Sequence, residues 1–242
     1  MTAEPLTPAP PATGPGRLPV PRPAPIGRRT AVVCLVVGSA LNLAEALIGR
    51  VVGQNGSVAG SLEAWEQQPT LASIGLAVGT IAVPFLLLAI VAMAQLVRPH
   101  MPRLGAVAAF LGYVGGLGFL GIHAVSIIDR AAVDQPDRQA MVSLIESAQS
   151  SPLAILILAP FMLGLMGAVL LVSIGFLRTR AVPVWIPVLL LVFLVLDFGP
   201  FSTGPVDPHW LFVAASFGLA GSVAQRSDRQ WWTGAPDRDV TP

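Results

Sequence analysis

Residues 70–97, TLASIGLAVGTIAVPFLLLAIVAMAQLV, contain no charged side chain. A helix needs about 20 predominantly apolar residues to cross a hydrocarbon layer about 30 Å thick, so this stretch predicts a membrane span. Further apolar stretches of this kind occur at about 30–49, 104–128, 153–177, 182–198 and 208–225. The sequence therefore predicts an all-α, polytopic transmembrane helical bundle with six spans, occupying residues 29–226.

The composition of the whole chain agrees with this prediction. Of its 242 residues, 54% are hydrophobic and 11% are charged, and the mean hydropathy is +0.73. This composition is far too apolar for an ordinary soluble domain. We therefore expect an integral, multi-pass protein of the cell membrane whose main partner is the lipid bilayer. A second copy or another membrane protein is a further possible partner, and no nucleic-acid partner is expected.

The arginines predict the orientation of the chain in the membrane. All 14 lysine-plus-arginine positions are arginines, and six spans would put 11 of them on one side and only Arg50, Arg130 and Arg138 on the other. This asymmetry is the positive-inside pattern, and it predicts that both termini are cytoplasmic. The fifth and sixth stretches are the shortest, so five spans or a re-entrant last segment is the alternative. Five spans would break the asymmetry, which favours six.

Two tails flank the predicted bundle. Residues 1–28 are rich in proline, alanine and glycine, which predicts a disordered cytoplasmic tail because this composition cannot bury a core. Residues 227–242 are predicted to form a second cytoplasmic tail. Trp231 and Trp232 in that tail are expected to rest at the membrane interface, where amphipathic indole rings settle.

The outer loop between the third and fourth spans has a helical pattern. A short amphipathic helix is predicted at about 135–149, capped by Asp134. Its apolar face is expected to consist of Met141, Leu144, Ile145 and Ala148, which recur at helical spacing. This helix is expected either to lie on the membrane surface or to cover the outer mouth of the bundle as a lid.

Glycines at helical spacing predict where the spans pack. Gly112 and Gly116 in the third span form a small-xxx-small pair, and Gly164 and Gly167 in the fourth span are three residues apart. Small residues let helix backbones approach closely in a membrane, so these four positions are predicted helix-packing sites.

Ionisable residues within membrane spans are functional candidates because burying them is unfavourable. Glu45, His123 and Asp197 occur late in the three spans predicted to run outward, so they share one depth and are predicted to meet in an outer pocket. The candidates to bind a ligand or carry a proton are these three with three nearby polar residues, Asn42, Arg130 and His209. The alternative is that Glu45 and Asp197 simply reach the surface, since both are near the ends of their spans.

Several cofactor classes are excluded by composition. The chain has no lysine, which rules out a Schiff base with retinal or pyridoxal phosphate and a P-loop lysine. Cys34 is the only cysteine, so an intrachain disulfide, a CxxC redox pair and a cysteine-ligated iron–sulfur cluster are impossible. Only one histidine lies within a span, which disfavours bis-histidine haem. No cofactor is expected.

Three functions fit these residues. The preferred hypothesis is that a small ligand, cation or proton is handled at the outer pocket. The alternative is a structural or accessory subunit of a membrane complex, packed through its glycine faces. The third is a metal-dependent intramembrane hydrolase using His123, His209 and a carboxylate, with catalytic residues otherwise unassigned. The absence of HExxH and GxSxG motifs disfavours enzymatic activity.

The six-span plan, the chain length and the late histidine in Gly-Ile-His-Ala-Val at 121–125 resemble a broad group of proteins. These are the small multi-pass membrane proteins of unassigned function in GC-rich bacteria. The resemblance covers residues 30–225 and implies an integral protein of a bacterial plasma membrane. It carries no diagnostic motif and therefore transfers no catalytic or binding residue.

Overall fold

The computed structural model describes residues 25–53, 56–199 and 206–233, and every regular element within them is a helix, as predicted. Most of the two predicted tails, 1–28 and 227–242, lies outside the described residues. The helices are α1 Arg28–Val52, α2 Val58–Gln67, α3 Pro69–Val97, α4 Pro102–Ala132, α5 Arg138–Ser150, α6 Pro152–Thr179, α7 Trp185–Phe198, α8 His209–Ala224 and α9 Asp228–Thr233.

Four helices are long and apolar enough to cross a membrane. They are α1, α3, α4 and α6, with 25, 29, 31 and 28 residues, which is compatible with a membrane protein. The predicted fifth and sixth spans form the shorter apolar helices α7 and α8, with 14 and 16 residues. At 1.5 Å per residue, α7 covers only about 21 Å. It begins at Trp185 rather than near residue 182, since Pro183 lies just before its first turn.

Six of the helices form a closed ring in the order α1, α3, α4, α6, α7 and α8, in which α8 packs back on α1. Apolar side chains such as Leu35, Met93 and Ile186 fill its interior and are fully buried. The outside of the bundle is also apolar, as Leu156 and Leu163 on α6 show with 69% and 71% exposure. A bundle that is apolar on its outer surface is suited to contact with lipid.

The two described ends of the chain meet at one end of the ring, which we call the tail end. Arg28 Nε donates to Asp228 Oδ1 over 2.7 Å, and the Trp231 indole N–H donates to the carbonyl oxygen of Ile26 over 2.8 Å. Trp231 is 2% exposed, so it fills the tail end of the core instead of resting at a membrane interface. Trp232, the other predicted interfacial residue, is 37% exposed.

Helices α2 and α5 cover the opposite end of the ring, which we call the cavity end. Ser57 caps α2 by accepting a hydrogen bond from the Gly60 N–H over 3.1 Å. Arg138 of α5 pairs with Glu66 of α2, which ties the two helices together. The sequence pattern did not predict α2, because its apolar residues are few and its capping signal is a single serine.

The predicted amphipathic helix is present as α5, but its cap and its buried face differ from expectation. Asp137 rather than Asp134 caps it, accepting from the Ala140 N–H over 3.0 Å. The buried side chains are Val142 and Ile145, whereas Leu144 is 61% exposed. The buried face is rotated because α5 packs against Leu62 of α2.

The four predicted packing glycines divide between two helix contacts. On α4, Gly112 and Gly116 face Ile90 and Leu87 of α3. Gly164 on α6 faces the backbone of α4 at Gly115, and Gly167 faces the Leu111 side chain. The close crossing of α4 and α6 is therefore made on the α4 side by Gly115 and Gly118, not by the Gly112 and Gly116 pair. A π-helical turn at Pro160–Gly164 interrupts α6 at this crossing, because proline cannot continue the regular hydrogen-bond ladder.

Candidate functional site

A cavity of about 660 Å³ opens at the cavity end of the ring, beneath α2 and α5. This volume lies in the usual range for small-molecule pockets. Five of the six predicted candidates line it: Asn42, Glu45, His123, Asp197 and His209. The sixth, Arg130, does not. Its guanidinium donates to the Ser73 hydroxyl over 3.3 Å and pairs with Asp134, away from the cavity wall.

Glu45 and His123 face each other across the cavity from α1 and α4. Their closest polar atoms, Glu45 Oε1 and His123 Nε2, are 3.6 Å apart, which is too long for a hydrogen bond. Glu45 fits against α3 because residue 79 is glycine, and a Cβ there would overlap its carboxyl group. The distance leaves both groups able to bind a third polar atom.

The His123 ring is 3% exposed and packs on Phe119, with ring centroids 4.7 Å apart. Neither of its nitrogens has a hydrogen-bond partner among the described residues. Leaving a buried donor or acceptor unpaired costs about 1–3 kcal/mol, so such groups in folded proteins call for a physical explanation. A ligand that hydrogen-bonds the ring in the cavity would supply one.

A second group of polar side chains lies where α8 begins. Asp207 Oδ1 accepts from the backbone N–H of His209 over 2.9 Å and lies 2.8 Å from His209 Nδ1. Asp207 Oδ2 pairs with Arg50 Nε over 2.5 Å, and Asp197 Oδ1 lies 3.6 Å from His209 Nδ1. These contacts connect the last turn of α1 to the end of α7 through the start of α8.

Asp207 is 5% exposed, and two opposing effects act on its pKa. Burial raises the pKa of the Asp207 carboxyl group. The hydrogen bonds from His209 and the charges of His209 and Arg50 lower this pKa by more than burial raises it, so it lies below its usual value. Ionised Asp207 is only an acceptor, so His209 Nδ1 donates to it.

Asp207 was not among the predicted site residues. The available signal was Asp207-Pro208-His209, since an aspartate just before a proline at a helix start is a common turn and capping arrangement.

Aromatic rings form the floor of the cavity. Phe119 stacks on Phe161 with centroids 5.1 Å apart, and Phe161 contacts Phe198 at 6.3 Å. A smaller cavity of about 70 Å³ is lined by the same three rings and shares Asn42, Asp197 and His209 with the larger one. Phe161 lies in the π-helical turn of α6. Sequence reasoning assigned no role to these phenylalanines, because nothing in their spacing separates a cavity floor from ordinary core packing.

The charged side chains of the cavity wall are mainly acidic. Among the described residues that line it are three carboxylates, Glu45, Asp129 and Asp197, and one guanidinium, Arg50. Arg50 is engaged by Asp207. Asp129 was not a predicted site residue, because six residues beyond His123 on α4 it is rotated by about 120° from the His123 face of the helix.

A metal centre of the predicted kind is not assembled. Within the described part of the chain, no three histidine, cysteine, aspartate or glutamate side chains are grouped so that they would hold a metal ion. The arrangement of His123, His209 and a carboxylate needed by the hydrolase hypothesis is therefore not supported.

Comparison with known proteins gives no relative for this chain: no family model, no curated protein and no solved structure matches it. A functional assignment therefore rests on the chemistry of the site.

Proposed function

We propose that this protein is an integral protein of the cell membrane that binds and handles a small ligand, cation or proton at an outward-facing polar pocket, the cavity of about 660 Å³. The observation that carries the proposal is His123, which is buried in the cavity wall with no hydrogen-bond partner for either nitrogen in the described structure. Glu45 lies 3.6 Å from it, so one small polar group can contact both.

We propose six spans with both termini cytoplasmic, so that the tail end faces the cytoplasm and the cavity faces outward. Two observations support this topology. The contact of Arg28 with Asp228 brings both described ends of the chain together, which agrees with an even number of crossings. The 11 arginines assigned to one side by six spans follow the positive-inside pattern. In this arrangement α7 and α8 are too short to cross the membrane alone, and the residues that flank each helix complete the crossing.

The topology is testable by labelling single cysteines with a membrane-impermeant maleimide in intact cells, in a Cys34→Ala background. Glu146→Cys, at the cavity end, is expected to react in intact cells. Arg178→Cys, at the tail end, is expected to react only after lysis. The reverse pattern would overturn the orientation, and equal labelling of both in intact cells would show that α6, which lies between the two positions, does not cross the membrane.

Binding is tested by native mass spectrometry of the protein in lipid discs. We expect a small molecule or ion bound to the wild type, retained in the control Glu146→Gln, whose side chain is exposed on α5, and lost in Glu45→Gln and His123→Ala. Four identical, empty spectra would show that the cavity is not a ligand site.

The accessory-subunit alternative is less well supported. Its argument was that glycine faces pack against another protein, yet Gly112, Gly116, Gly164 and Gly167 all face neighbouring helices of this same chain.

A further inference from the structure

The charge of the cavity restricts the ligand that it suits. Glu45, Asp129 and Asp197 contribute a carboxyl group each from α1, α4 and α7, and the guanidinium of Arg50 is engaged by Asp207. A cavity wall whose charged groups are mainly carboxylates attracts a cation and repels an anion.

A metal ion fits this wall poorly. Calcium needs six to eight oxygen ligands at about 2.3–2.6 Å, and magnesium demands a near-ideal octahedron. The described residues contain no group of three histidine, cysteine, aspartate or glutamate side chains that could hold such an ion. The cavity, at about 660 Å³, is also far larger than an ion site requires.

Aromatic rings line the same cavity beside the carboxyl groups. Trp65 of α2, Phe119 of α4, Phe161 of α6 and Phe198 of α7 bring rings from four different helices to the wall. Aromatic faces attract organic cations through the ring quadrupole and also bury an apolar body. This combination suits an ammonium group attached to a hydrocarbon.

The pair of Glu45 and His123 provides a place for the ammonium group. A donor nitrogen placed between Glu45 Oε1 and His123 Nε2, which are 3.6 Å apart, lies within hydrogen-bond range of both. An ammonium group has up to three N–H donors, a carboxylate accepts, and a neutral imidazole offers one acceptor nitrogen. One ammonium group would thus give a hydrogen-bond partner to His123, which has none within the described chain.

We propose that the cavity binds a small organic ammonium ion, with its charged nitrogen between Glu45 and His123 and its apolar body against the aromatic rings. This inference rests on the proposed function and names the ligand class of the same pocket.

The inference is tested with three probes of matched shape: benzylammonium, neutral benzyl alcohol and anionic benzoate. Each is titrated by ligand-detected NMR against the protein in lipid discs at neutral pH. We expect the wild type to bind benzylammonium about tenfold or more tightly than benzyl alcohol, with benzoate weakest, because a charge-assisted hydrogen bond contributes at least about one order of magnitude.

Glu45→Gln is expected to weaken benzylammonium about tenfold and to leave benzyl alcohol unchanged, because it keeps the shape and removes the charge. Glu146→Gln is the matched control and is expected to change neither. Phe161→Leu is expected to weaken both probes, since it removes an aromatic face. Thermal unfolding of each variant shows that it is folded.

Equal binding of benzylammonium and benzyl alcohol by the wild type would overturn the ammonium inference and leave the cavity as a ligand site. Tighter binding of benzoate would overturn the sign of the charge argument. Failure of all three probes would also overturn the inference, and the native mass spectrum then decides the proposed function: a bound non-amine ligand preserves it, and an empty cavity removes it.

Discussion

The crossing of α4 and α6 leads to a sharp prediction for Gly115→Ala. A Cβ at Gly115 would lie 2.8 Å from the carbonyl carbon of Gly164 and 2.9 Å from the Cα of Leu165. These are backbone atoms and cannot rotate aside. The alanine methyl group must therefore push the two helices apart.

The size of the effect follows from these distances. Carbon atoms pack best at about 3.5–4.0 Å, so the helices must separate by roughly 1 Å, which loses part of the dispersion energy along the crossing. Overpacking of this kind costs about 1–3 kcal/mol, and the better helix propensity of alanine returns about 1 kcal/mol. The balance of these two effects is expected to lower the free energy of unfolding of Gly115→Ala by about 1 kcal/mol, with an upper limit of about 2 kcal/mol. Gly164→Ala is expected to act on the same contact, so the double variant should be less than additive.

The assay is unfolding by a denaturing detergent in mixed micelles, followed by far-ultraviolet circular dichroism. Gly221→Ala in α8 is the matched control, because a Cβ there has no atom within 4 Å among the described residues. It is expected to leave stability unchanged or to raise it by up to about 1 kcal/mol. If Gly115→Ala is as stable as Gly221→Ala, the close crossing does not hold the bundle as described.

Three further predictions concern the two ends of the ring. Trp231→Ala is expected to lower the free energy of unfolding by about 3–5 kcal/mol, because it empties a buried site, whereas Trp232→Ala costs less than about 1 kcal/mol. Equal losses in the same detergent titration would contradict the docking of α9. Leu62→Ala is expected to cost about 2–4 kcal/mol and to speed hydrogen–deuterium exchange in α5, and unchanged exchange would show that α2 does not hold α5. Asp207→Asn is expected to cost about 2 kcal/mol at neutral pH, because it weakens the contacts to Arg50 and His209. Since the fold lowers the pKa of Asp207, its stabilisation is complete above the usual aspartate pKa and is lost as the pH falls through the lower value in the fold. The wild-type and Asp207→Asn unfolding curves should therefore converge in acid, and a constant difference from pH 7 to pH 3 would count against this ion pair.

Helices were predictable from the sequence where length alone decides the structure. An uncharged stretch such as 70–97 forms a long helix because its backbone has no other way to satisfy its hydrogen bonds in an apolar setting. The covering helices were harder because their faces depend on each other. Leu62 of α2 selects Val142 and Ile145 of α5 as the buried residues, and that contact joins segments about 80 residues apart in the chain.

The candidate site was partly predictable for a related reason. Depth along a span is readable from the sequence, so Glu45, His123 and Asp197 were assigned to one layer, and all three line one cavity. The direction in which a side chain points within that layer is not readable from depth alone. Arg130 is on the same helical face as His123, yet its side chain turns toward Ser73. Asp207 owes its place to contacts with residues of other helices, which no local pattern encodes.

Buried polar groups without a hydrogen-bond partner occur at both ends of the ring. At the tail end, the indole N–H of Trp231 is hydrogen-bonded, but Gln95, which donates to the Trp231 carbonyl oxygen, has no partner for its own Oε1 in the described residues. At the cavity end, the buried imidazole of His123 has no hydrogen-bond partner in the described residues and lies beside a cavity that a ligand can enter, and an apolar ring there would avoid a cost of about 1–3 kcal/mol. A ligand that hydrogen-bonds this ring recovers that free energy on binding. The unpaired imidazole at the cavity end therefore lowers the stability of the ligand-free fold, and binding of a ligand restores it. A ligand of this site is expected to raise the free energy of unfolding of the protein.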